Sequence, residues 1–74
     1  MTNFDWPDVA QIKSEAARDF AERKIRQIEA AWKPATGEHE CAEIVARSIR
    51  LAENINEAIN GNLDPLRAMR EAVK

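Results

Sequence analysis

Apolar residues recur along this chain at helical spacing almost throughout, and nowhere do they alternate as in a strand. The longest pattern runs from Glu38 to Asn60. Set around a wheel at about 100° per residue, its core line is Cys41, Val45, Ala52 and Ile59. Ile44, Leu51, Ile55 and Ala58 widen that line on one side, and Ala42, Ala46 and Ile49 on the other. Glu43, Arg47, Arg50, Glu53, Asn54 and Glu57 complete the circle. An apolar arc of roughly half the circumference exceeds the stripe of an ordinary surface helix, which predicts contact with more than one neighbour. Ser48 and Asn56 fall inside it and must lie at wet margins or find partners.

A second helix is predicted over 7–32. Pro7 suits a first helical position, Asp5 and Asp8 suit the positive end of the dipole, and Lys33-Pro34 stops the helix. It carries two seams: Val9, Ile12, Ala16 and Phe20, then Ala17, Ala21, Ile25, Ile28 and Trp32, displaced by roughly 100° at the far end. Either one helix crosses its neighbours obliquely, or it breaks near Arg23 and Lys24. Thr36 is the candidate N-cap of the 38–60 helix, and Asn60-Gly61 its stop. Asp64-Pro65 then opens a short helix, expected over 64–73, with Leu66, Met69, Ala72 and Val73 on one face.

The short 33–37 connection makes the two long helices antiparallel neighbours. The fold class expected is therefore all-α: one domain over 1–74, with a lead-in at 1–6, a hairpin of two long helices and a short docking helix. Phe4 and Trp6 lie on the lead-in. They either present themselves to a partner or fold back and complete the core. Trp32, at the hairpin end, is expected against the loop or the third helix.

Length sharpens this picture. A chain of 74 residues buries only about 60% of its unfolded surface, so its core is marginal. Its single cysteine, Cys41, excludes an intrachain disulfide and gives no sign of an oxidising compartment. No run approaches the ~20 apolar residues of a membrane span. Nor does the N-terminus have the basic and apolar regions of a signal peptide. A cytoplasmic location, with no membrane association, is expected. Beginning at its own methionine, the chain reads as an intact small protein.

Candidate chemistry is thin. Glu38-His39-Glu40-Cys41 with Glu43 is the densest reactive set. His39 and Glu43 could share a metal, but two ligands from one helix fall short of the usual three or four. His39 and Cys41, two apart, point to nearly opposite sides and cannot act as base and nucleophile. Acid-first pairs at four-residue spacing (Asp19 to Arg23, Glu22 to Arg26, Glu29 to Lys33, Glu43 to Arg47) describe a solvated surface. Gly37 and Gly61 are the only glycines, too few for a phosphate loop. No enzyme, metal or cofactor is expected.

A net charge of −2 gives no field that demands nucleic acid or anionic lipid. The alternative reading is nonetheless a nucleic-acid-associated regulator using Arg18, Arg23, Lys24, Arg26, Arg47 and Arg50, with Lys33 nearby. Asp19, Glu22 and Glu29 are interleaved with that set, and two long helices do not match a helix-turn-helix reader. The favoured reading is a non-enzymatic protein-interaction module. By analogy of size and class it is an accessory or inhibitor protein of prokaryotic or phage type that occludes a partner's surface. The simplest partner is a second copy, two hairpins forming a four-helix bundle. The expected contact residues are Phe4, Trp6, Ile44, Leu51, Ile55 and Ala58. Asp5, Asp8, Glu38, Glu40 and Glu43 could imitate phosphate charge, although they also simply complement helix N-termini.

Overall fold

The computed structural model describes residues 4–61 and 64–72. All regular structure among them is helical: a 3-10 turn at Val9–Gln11, then α1 at Glu15–Trp32, α2 at Glu38–Asn60 and α3 at Pro65–Ala72. The long dimension of the molecule, 36 Å against 17 Å across, is set by α2, whose 23 residues span about 34 Å at 1.5 Å each.

α2 has the bounds its pattern predicts, and its ends explain themselves. Glu38 and Glu40 lie in the first turn, where negative charge meets the dipole. At the other end Gly61 adopts φ 74°, a left-handed conformation that glycine takes without steric penalty, and its N–H donates back to the Ala58 and Glu57 carbonyls. The N-cap is Gly37, with no side-chain cap bond, and not Thr36 as expected. α3 starts as predicted: Asp64 accepts from the Arg67 N–H at 2.9 Å, with Pro65 at the first helical position. Met69 is buried and Leu66 half-buried on its inner face. Val73, assigned to that face from its spacing, lies outside the described residues.

The predicted 7–32 helix is corrected at its start. The chain makes one 3-10 turn capped by Asp8, whose carboxylate accepts from Ala10 N–H, and is then extended at Ile12 and Ser14 before α1 begins. Ser14 is the true cap; its Oγ accepts from Ala17 N–H at 3.3 Å. Arg18 braces the break by donating from Nη1 to the Ile12 carbonyl at 3.2 Å. α1 is continuous through Arg23 and Lys24, so the interruption lies well before the position where a break was the alternative. The two seams are resolved by this kink: Ile12, fully buried, belongs to the turn, while Ala17, Ala21 and Ile28 form the buried line of α1.

The core joins Ile12, Ala17, Ala21, Ile28, Ile44, Leu51, Ile55, Ala58 and Met69. α3 packs on α2 and on α1, and the 3-10 turn also touches both long helices. The hairpin is antiparallel: Lys24, Gln27, Ile28 and Ala31 of α1 line one cleft with Ile44 and Arg47 of α2, later α1 residues meeting earlier α2 residues. The 3-10 turn enters α1, and α3 leaves α2, at the end of the hairpin away from its connection. α3, eight residues long, spans about 12 Å and therefore covers only part of the hairpin. The connection end is left as two helices.

Candidate functional site

The centre of burial on α2 is not the centre of its apolar arc. Ile44, Ser48, Leu51, Ile55 and Ala58 are the buried line, roughly 75° around the helix from the expected Cys41–Val45–Ala52–Ile59 line. Cys41, Ala52 and Ile59 form a half-buried margin. Bulk decides this: the side with Leu51, Ile55 and Ile44 gains more by burial than a side made largely of alanine.

The expected contact residues lie as follows. Ile44, Leu51, Ile55 and Ala58 belong to the chain's own core, 0–8% exposed, and of the four Ile44 also lines the cleft between α1 and α2. Trp6 is half-buried and packs against that core, with the Phe4 ring 4.6 Å from its own at an interplanar angle of 58°. The lead-in from Phe4 onward thus folds back over the hairpin. Trp32 also packs on the core.

The surplus apolar surface lies on the opposite margin of α2. Val45 is 38% and Ile49 46% exposed, the two large apolar side chains that stand out among the described residues. They are one turn apart, and the exposed Ala42 and Ala46 extend the strip. Asn56, inside the apolar arc of the sequence, is exposed at the far end of the helix. Ser48, the other polar residue of the arc, is fully buried and donates to the Ile44 carbonyl at 2.8 Å.

A second feature is the cleft between α1 and α2 at the connection end, about 110 Å³ in volume. Ile28, Ala31 and Ile44 supply its apolar lining, and Lys24, Gln27 and Arg47 its polar lining. Lys24 Nζ lies 3.2 Å from Gln27 Oε1 and 5.4 Å from the centroid of the Phe20 ring. The Glu43 to Arg47 pair expected from spacing is not formed. Glu43 instead lies 3.5 Å from His39 Nε2, and Arg47 has no carboxylate partner among the described residues. The Glu22 to Arg26 and Glu29 to Lys33 pairs are likewise not made, whereas Asp19 and Arg23 meet at 2.8 Å.

The six basic residues grouped from the sequence are thus only partly brought together. Lys24 and Arg47 share the cleft; Arg18 serves the kink, Arg23 is held by Asp19, and Arg26 and Arg50 are separately exposed. Cys41 is half-buried, and His39 and Glu43 are both largely exposed. No group of three or more potential metal ligands occurs among the described residues, and none of the described helices is long and apolar enough to cross a membrane. No protein-family model, curated protein or solved structure matches the chain.

Proposed function

We infer that the chain is a non-enzymatic protein-interaction module whose contact face is the outer side of α2. The exposure of Val45 and Ile49 one turn apart carries the reading. Two large apolar side chains with flanking alanines are left in water, whereas the other large aliphatic groups among the residues with described burial are buried or half-buried. A second copy is the simplest occupant. Two α2 helices running antiparallel about residue 47 would set Val45 of each copy against Ile49 of the other, and Ala42 against Ala52. The small alanines allow the helices to approach closely.

The strip is short, so the association is a weak one, in the class of interfaces below about 1,200 Å². A partner surface of similar apolar character could use the same strip, which keeps the occluding accessory role within this reading. Sedimentation equilibrium from about 1 µM to about 1 mM tests it, a range chosen for such small interfaces. The expected result is a mass rising from 8.4 kDa toward twice that value, with Ile49→Glu remaining monomeric and folded. A wild-type chain that stays at the monomer mass throughout overturns self-association.

A further inference from the structure

We propose that the α1–α2 cleft is a second contact site, built to seat an acidic side chain borne on an apolar segment of a partner protein. Its composition is what selects that occupant. Ile28 and Ile44, 7% and 8% exposed, close the bottom with Ala31. A cation stands on each wall, Lys24 from α1 and Arg47 from α2, with the Gln27 amide between successive turns of α1. No carboxylate lines the cleft. The one that spacing would have given to Arg47 is turned to His39 instead. In a chain carrying 13 acidic against 11 basic residues, a pocket with two cations and no acid is a local reversal of sign.

Size excludes cofactor- and drug-sized ligands. A volume of about 110 Å³ is well below the roughly 300–1,000 Å³ of small-molecule and cofactor sites, and corresponds to a single inserted side chain. A carboxylate there meets a guanidinium able to bind it through two N–H groups and an ammonium acting as a point charge. Its methylene stem, and apolar residues beside it, would lie on Ile28, Ala31 and Ile44. Phosphate groups of a nucleic acid satisfy the cations but leave that apolar floor uncovered. The choice of a protein partner rests on the reading of the chain as an interaction module. The residues are different from those of the α2 strip, so the two can fail separately.

The test is an NMR titration of the isotope-labelled full chain with a blocked peptide of repeating Leu-Glu-Glu-Leu, and with its glutamine counterpart. The expected result is saturable shifts at Ile28, Ala31, Ile44 and the Arg47 Nε–H for the acidic peptide, with clearly weaker binding of the glutamine form. Lys24→Gln and Arg47→Gln should each weaken binding about two- to fivefold, the range of partly exposed charge pairs, while Arg26→Gln and Arg50→Gln leave it unchanged. Ile49→Glu should leave it unchanged too, which separates this site from self-association. Absence of shifts, equal binding of the two peptides, or equal losses in Arg50→Gln overturn the proposal. So does tighter binding of an oligothymidylate through Lys24 and Arg47.

Discussion

Ser48 Oγ donates to the Ile44 carbonyl at 2.8 Å, one turn back along α2, in the middle of the buried face. A hydroxyl placed among Leu51, Ile55 and Ile44 is thereby satisfied without any group from another helix. This bond is local: the Ile44 carbonyl already accepts within the helix, so removing the hydroxyl orphans nothing.

Ser48→Ala is therefore expected to change stability by no more than about 0.5 kcal/mol, since both helix partners remain paired. Leu51→Ala, three residues on and equally buried, should cost about 2–5 kcal/mol through lost transfer energy and a cavity. That is of the order of the whole stability a core this small supplies. Urea unfolding followed by circular dichroism separates the two outcomes.

The two glycines should respond oppositely. Gly61→Ala forces a Cβ into the left-handed region at φ 74° and is expected to cost about 1 kcal/mol. Gly37 is in extended geometry with nothing within 4 Å of where a Cβ would stand. Gly37→Ser adds the missing cap to α2 and should gain a few tenths of a kcal/mol. Paired thermal melts measure both.

The indole N–H groups of Trp6 and Trp32 are buried without a protein acceptor. A buried unpaired donor costs about 1–3 kcal/mol, which offsets much of what the larger ring contributes. Trp6→Phe is accordingly expected to destabilise by less than about 1.5 kcal/mol, as for a shape-related apolar exchange. Trp6→Ala should lose more, about 2–3 kcal/mol for a ring that is only partly buried. Chemical denaturation monitored by the remaining tryptophan's fluorescence gives both values.

Arg18 ties α1 to the kink by donating to the Ile12 carbonyl. Arg18→Met keeps the stem and removes the donor. The expected loss is about 1 kcal/mol, the net worth of one such bond. Faster amide exchange at Val9–Ile12, with α1 unchanged, would show that the bond holds the turn and not the helix.

Legibility from the pattern tracked the strength of local chemistry. α2 and the start of α3 could be read because Gly61 and Asp64-Pro65 admit few other conformations. The start of α1 was misplaced because Val9, Ile12 and Ala16 keep helical spacing across a break, and periodicity does not register Ser14 as the stronger cap. On α2, counting apolar positions treated Ala42 and Ala46 as equals of Leu51 and Ile55, which turned the core line toward residues that are exposed. The cleft was illegible for another reason. Lys24 and Arg47 come from different helices, and Arg47 lacks a carboxylate because Glu43 lies toward His39, a choice between two equally spaced partners that spacing does not decide.

The 12 Å of α3 set against the 34 Å of α2 also grades the molecule from end to end. Where the 3-10 turn and α3 close on the hairpin, a backbone amide is released only by disrupting the shared core. At the connection end the two helices are covered only by each other and by Ala35 of the connection, and their amides can open in a small local event that leaves the remainder folded. Exchange protection should thus decline along α2 from Ile55 toward Glu38, and along α1 from Ala21 toward Trp32. A molecule seated between Lys24 and Arg47 would raise protection in that half while the slowest-exchanging amides kept their rates.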